Sequence, residues 1–210
     1  MLDEIQFAEE PKEYGGPSSF QIRLINFLYK KNYKISFSKN KTTPNLLFII
    51  SGTKKYIWIL KNKIKRKKII QRLDGFLWKH KYENESFFYK LKCEAINFNM
   101  AFIRKFIANH VVYQSQYIKS EWDNKYGALK QNYSIIHNAA SDDFFNKQIN
   151  YSDDLSYKII CVEGVVQSDK LTVSILKKLE QIVKTHQKIC KVEVYGDNKF
   201  INKNIFDVKL

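Results

Sequence analysis

Apolar residues fall along the chain in short runs that alternate between two periods. Glu4-Ile5-Gln6-Phe7-Ala8 reads as a short strand. Tyr14-Gly15-Gly16-Pro17-Ser18-Ser19 follows as a glycine turn. Phe20 to Tyr29 is then an amphipathic helix with Phe20, Leu24, Phe27 and Leu28 on one face. Ser18 or Ser19 is placed to cap that helix. Tyr33 to Phe37 predicts a second strand. Leu46-Leu47-Phe48-Ile49-Ile50, behind Pro44, is a continuous apolar run of the kind found in buried parallel strands. Ser51-Gly52-Thr53 opens a helical segment from Lys54 to Lys63, and Lys68 to Leu73 reads as a strand ended by Asp74-Gly75. The longest periodic stretch runs from Ser86 to Asn109. There Phe88, Leu91, Ala95, Phe98, Phe102 and Phe106 recur at steps of three and four, which predicts its buried stripe. A strand at Val111 to Ser115, a helix from Ile118 to Tyr126 stopped by Gly127, and a strand at Tyr133 to Ile136 complete the series.

This alternation implies an α/β protein built on a Rossmann-like, doubly wound parallel sheet. Ligands of such sheets bind beyond the carboxyl ends of the strands. Gly15-Gly16, Ser51-Gly52, Asp74-Gly75, Ser115 and His137-Asn138 all fall at those ends. Gly15 and Gly16 add a specific chemistry. Glycine lets a ligand approach the backbone, and the helix start behind it presents unpaired amides to an anion. An ordinary strand-to-helix connection has the same appearance, so the turn gains meaning only from its company.

The pattern restarts after a polar stretch. Residues 1–148 form the first domain, 149–157 a linker containing Asp153-Asp154, and 158–210 the opening of a second α/β domain. In that opening Lys158 to Val162 reads as a strand and Glu163-Gly164 as a turn. Lys170 to His186 reads as a helix with Leu171, Ile175, Leu179 and Ile182 inward, and Val192 to Tyr195 as a strand ending at Gly196. Two strands and one helix cannot bury their own faces. The expectation is a piece that docks on the first domain or on a partner, or a fragment of a longer protein.

Composition narrows the partners. The 210 residues carry 36 Lys+Arg against 21 Asp+Glu, a formal charge of +15. That favours anionic partners such as nucleic acid, an acidic membrane face or a phosphorylated substrate. Abundant Lys, Asn and Ile equally suit a merely solvated basic background. Cys93, Cys161 and Cys190 are odd in number and widely spaced, which argues against a disulfide framework or a zinc site and for a reducing, cytoplasmic compartment. No apolar run has the length of a membrane span.

The order of these features resembles the GT-B glycosyltransferases, most closely glycosyltransferase family 4. The resemblance rests on Gly15-Gly16-Pro17-Ser18-Ser19-Phe20 after the first strand, Tyr113-Gln114-Ser115 with Trp122, and Ile135-Ile136-His137-Asn138-Ala139-Ala140 with Phe144. It continues through Cys161 to Gly164, Lys170, and Val192 to Gly196. The chain departs from the family at Val165, where Arg is frequent, at Leu171, where Gly is usual, and at Ala139, where the turn normally has Gly. The family's acidic motif, two Glu that grip the donor, follows further along such enzymes. The resemblance therefore implies a glycosyltransferase, or a truncated part of one, in surface polysaccharide synthesis; the alternative that the charge offers is a basic nucleic-acid-binding or non-catalytic interaction protein.

Roles follow from that resemblance. A nucleotide-sugar donor is the co-substrate, with no metal and no other cofactor, since there is no D-x-D motif. The acceptor is a saccharide or a lipid-linked sugar, and no specific nucleic acid is expected. Gly15, Gly16 and Ser18 form the amide cradle for the donor diphosphate, with Lys170 as the cation from the second domain. Asp74 is the candidate catalytic group orienting an acceptor hydroxyl, although an Asp-Gly turn or helix cap explains it too. Arg72, Ser115, His137, Asn138 and Gly164 line the cleft. The segment Lys54 to Lys68 interleaves Tyr56, Ile57, Trp58, Ile59 and Leu60 with lysines. It reads first as a packed helix and a solvated basic turn, and second as a contact with the anionic inner face of the membrane.

Overall fold

The computed structural model describes residues 4–12, 16–40, 42, 44–81, 86–130 and 132–138, and further along 157–165, 177–179, 181–182, 184–185, 190–197 and 207–209. The chain divides into two compact units, Met1–Ala140 and Ser141–Leu210.

The first unit is a six-stranded, all-parallel sheet flanked by helices, a Rossmann-like α/β fold. Its strands are β1 (Glu4–Phe7), β2 (Lys34–Phe37), β3 (Leu46–Ile50), β4 (Lys68–Leu73), β5 (His110–Tyr113) and β6 (Tyr133–Ile135), in the order β2-β1-β3-β4-β5-β6. Its helices are α1 (Gly16–Lys30), α2 (Tyr56–Ile64), α3 (Phe87–Phe102) and α4 (Gln116–Tyr126). A 3-10 turn at Lys79–Lys81 precedes α3, and a π-helical segment at Ile103–Ile107 extends it.

Side-chain alternation along the strands sorts the helices into two layers. Ile5, Phe7, Phe37, Leu46 and Phe48 meet Ile25 and Leu28 of α1. Leu47, Ile49 and Ile69 meet Ile59 of α2 and Ile103 and Ile107 of the π-helical segment. Leu73, Val111 and Tyr113 meet Met100 and Ala101 of α3 and Trp122 of α4. Full burial of one such aliphatic side chain contributes roughly 1.5–3 kcal/mol. The chain leaves β1 toward β2 in one direction, then returns past β1 to β3 and continues the other way. The gap between β1 and β3 is thus the topological switch point, where the crossovers diverge and leave a crevice.

Apolar spacing predicts the buried face of α1 in part, with Leu28 buried and Leu24 packed against the core, and that of α3 not at all. In α1 the buried residues are Gln21, Ile25 and Leu28, while Phe27 is 55% exposed. Gln21 can turn inward because its Nε2 donates to the Glu9 carbonyl at 2.7 Å. In α3 the buried residues are Cys93, Asn97, Met100 and Ala101, and the predicted stripe faces outward: Phe88 is 80% and Phe98 66% exposed. The inward polar groups are fully used. Asn97 exchanges two 2.8 Å hydrogen bonds with the backbone of Leu77. Arg104 donates to Tyr113 Oη at 2.7 Å, to the Gly127 carbonyl at 2.9 Å, and to Asp123. A polar residue whose hydrogen bonds are met can occupy the core, and apolar period alone does not see it.

The second unit contains a three-stranded parallel sheet, β7 (Tyr157–Val165), β8 (Cys190–Asp197) and β9 (Asp207–Lys209), in that order. The strand β9 has no counterpart in the sequence reading. Gly164 was expected in a turn after a strand ending at Val162. It lies instead inside β7, within a register irregularity between Val162 and Val165. Glycine inside a strand commonly marks such a bulge. The linker expected at 149–157 falls almost wholly outside the described residues.

Candidate functional site

The carboxyl ends of the first sheet carry two adjoining assemblies. The first is a cavity of about 380 Å3 at the switch point. Its walls come from the loop after β1 (Glu9, Glu10, Lys12), the first turns of α1 (Pro17, Ser18, Gln21) and the loop after β3 (Ser51, Gly52), over a floor that includes Phe7 and Phe48. A Cβ built on Gly16, at the start of α1, meets nothing within 4 Å, so the backbone there is open. Ser18 does not cap the helix. Its Oγ accepts from the Lys12 amide at 3.1 Å and ties the incoming loop to α1.

The loop after β3 is tightly held. Ser51 adopts φ 60°, the left-handed region that costs a non-glycine residue about 1 kcal/mol or more. Its amide donates to the Arg72 carbonyl at 2.8 Å, and its carbonyl accepts from Gln71 Nε2 at 2.6 Å. Gly52 comes close to α3: a Cβ there would lie 3.0 Å from Met100 Cγ and 3.4 Å from Asn99 Nδ2. The helix expected from Lys54 starts two residues later, at Tyr56; Thr53 Oγ1 takes the Lys55 amide at 3.1 Å and holds the turn before it.

Glu9 is the hub of this region. Its carboxylate accepts from Thr53 Oγ1 at 2.7 Å and pairs with Lys55 Nζ at 2.8 Å. Lys55 also donates to the Ala8 carbonyl and to Ser38 Oγ, at 2.8 and 2.6 Å. Burial pushes the Glu9 carboxyl up. The hydrogen bonds from Lys55 and Thr53, with the charges of Lys55 and Lys12, outweigh it and leave the pKa below the ordinary value. Glu9 therefore stays ionised at neutral pH with hydrogen-bond capacity to spare.

The second assembly surrounds Arg72, at the end of β4 and only 2% exposed. Its Nη1 donates to Asp74 Oδ1 at 2.5 Å and its Nη2 to Asn138 Oδ1 at 2.7 Å. Asn138 Nδ2 passes the chain on to Gln114 Oε1 at 3.1 Å. The guanidinium lies 3.7 Å from the ring centroid of Phe20 in α1. Burial pushes the Asp74 carboxyl up, and the Arg72 charge only partly offsets it; burial likewise lowers Arg72. The Asp74 carbonyl accepts from Trp122 Nε1 at 2.8 Å, which fixes the backbone. Asp74 is thus neither a helix cap nor a simple turn residue but the partner of a buried arginine.

The structure brings together Arg72, Asp74 and Asn138, and puts Ser18 on the wall of the neighbouring cavity with Gly16 two residues before it at the start of α1. Ser115 caps α4 by accepting from the Ile118 amide at 3.1 Å, so its hydroxyl is engaged in the helix start. His137 is exposed just beyond β6. Gly15 and Lys170 lie outside the described residues. Sequence reasoning missed Glu9, Thr53, Lys55, Gln114 and the stacking of Phe20 on Arg72. Their partners are distant in sequence, and no local spacing announces them. Among the described residues, no group of three or more His, Cys, Asp or Glu could hold a metal ion. No helix among them is long and apolar enough to cross a membrane. No protein-family model matches the chain, and no curated protein matches it significantly.

Chemically, the cavity offers an ionised carboxylate, open backbone at a helix start, and aromatic floor. Carboxylates accept from sugar hydroxyls, and aromatic rings pack against the apolar faces of sugars. The carboxylates of Glu9 and Glu10 are paired with Lys55 and Lys39, and the start of α1 favours an anion at the rim of the cavity.

Proposed function

We propose that this chain is a glycosyltransferase, or part of one, moving a sugar from a nucleotide-sugar donor to a saccharide or lipid-linked acceptor in surface polysaccharide synthesis. The observation that carries the proposal is the switch-point cavity, walled by Glu9 and by the first turns of α1. In this reading acceptor hydroxyls bind toward Glu9. The donor diphosphate, the leaving group of the transfer, lies at the rim toward the first turns of α1. Charge grows on that leaving group as the acceptor oxygen bonds to the anomeric carbon, so amide dipoles fixed beforehand lower the barrier. Arg72 and Asp74 act as positioning residues: their ion pair sets the ends of β4 and β6 and the place of Phe20 in α1.

Calorimetric titration of the full chain with a panel of nucleotide sugars and oligosaccharides tests this. The expected result is saturable binding of a member of the panel, weakened about tenfold or more by Gly52→Val, whose side chain meets Met100 and Asn99 of α3 and so displaces the loop that forms the cavity wall. Absence of binding across the panel, or binding indifferent to Gly52→Val, overturns the proposal.

A further inference from the structure

The outward face of α2 and α3 has no role in the site. The two helices share one side of the sheet, joined through Ile59, Ile103 and Ile107 and by Lys63 Nζ, which donates to the Ile107 carbonyl at 2.6 Å. On α2, Ile57 and Ile64 are 72% and 80% exposed, opposite the buried Ile59. On α3, the stripe from Phe88 through Leu91, Phe98 and Phe102 to Phe106 is exposed over its whole length. Phe102 and Phe106 pack side by side, with ring centroids 5.3 Å apart, and Lys105 lies over the Phe106 ring. A stripe of exposed phenylalanines along the length of a helix marks a candidate docking face.

Charge says what kind of surface it meets. Residues 54–68 contain eight Lys and Arg and no Asp or Glu, and Lys54, Lys61, Lys65 and Arg66 are exposed. An open hollow at the start of α2 has three lysines, Lys54, Lys55 and Lys61, around Tyr56, Ile57 and Trp58. A second copy of this chain would bring an equal excess of positive charge, +15 overall, against the same face. Aromatic and aliphatic side chains at the level of lysine ammonium groups match the boundary between acyl chains and anionic headgroups.

We propose that the α2–α3 face docks on an anionic lipid bilayer, with the phenylalanine stripe at the acyl boundary and the 54–68 lysines against lipid phosphates. This goes beyond sugar transfer and is tested with lipid alone, so each can fail without the other. The full chain is sedimented with vesicles of phosphatidylcholine alone and of phosphatidylcholine with about one third phosphatidylglycerol. Binding is expected only to the second, weakening with salt. Phe98→Glu and Lys61→Glu should each weaken it about tenfold. Phe27→Glu, on the opposite layer at α1 and equal to Phe98→Glu in charge, should bind like the parent chain. Circular dichroism of each variant confirms that it is folded. Four results overturn the proposal: no binding to either vesicle; equal losses in Phe27→Glu and Phe98→Glu; a dimer that Phe98→Glu dissociates; or capture of an oligonucleotide, abolished by Phe98→Glu, without binding to vesicles.

Discussion

The carboxyl edge of the first sheet is built in two ways. Between β1 and β3 it is open: a cavity, a half-exposed carboxylate at Glu9, and backbone that nothing covers at Gly16. Between β4 and β6 it is closed: Arg72 is buried, and its donors are taken by Asp74 and Asn138. The carboxyls of the two regions shift in opposite directions, Glu9 down and Asp74 up. A ligand can exchange for water at the first region without breaking protein contacts. At the second it would first have to break an ion pair. Binding therefore belongs to the open end, and alignment of the strands to the closed one.

Substitutions that break this contrast rank by how much structure they leave unpaired. Arg72→Met strands a buried-side carboxylate and an amide, and should cost about 3–5 kcal/mol in urea unfolding. A loss under about 1 kcal/mol would show that the closed end does not hold the sheet together. Gly52→Val pushes into Met100 and should cost about 1–3 kcal/mol while displacing the loop that walls the cavity. Ser115→Ala removes the cap of α4, an expected loss of about 1 kcal/mol with no effect on ligand binding. A binding defect in that variant would move the site toward β5.

The smallest effects sharpen the contrast through pH. The folded pKa of Glu9 lies below its ordinary 4.5, so its contribution is complete above that value and is lost as pH falls through the folded pKa. The folded pKa of Asp74 lies above its ordinary 3.8, so its contribution is complete below that value and is lost as pH rises through the folded pKa. The stability difference between the parent and Glu9→Gln should therefore grow with pH across the acid range. The difference between the parent and Asp74→Asn should shrink. Each change should stay near 1 kcal/mol or less for the half-exposed Glu9. Slopes of the same sign would mean that the two ends are electrostatically alike.

Much of the fold was legible in the chain. The apolar run Leu46 to Ile50, the glycine stop at Gly127 and the alternation of periods all mark elements that occur. Helix faces were legible only in part: Leu24 and Leu28 of α1 pack inward as their spacing predicts, but Gln21, Asn97 and Arg104 also turn inward, on hydrogen bonds that apolar spacing does not reveal. The same limit hid the site. Gly16, Arg72, Asp74 and Asn138 stood out at strand ends, but Glu9 gains its partners Thr53 and Lys55 only when β1 and β3 come together. The exposed phenylalanines of α3 are the other side of that misreading: their spacing is perfect for a buried stripe, yet polar side chains fill the core-facing positions.

Backbone amide mapping by NMR, with the labelled chain titrated by a nucleotide sugar and separately by the matching saccharide, tests the open end most directly. Perturbations centred on Gly16, Ser18, Ser51 and Gly52, with Gln114 and Asn138 little changed, are the predicted result. Perturbations centred on Arg72, Gln114 and Asn138, or confined to residues away from the β1–β3 crevice, would contradict it.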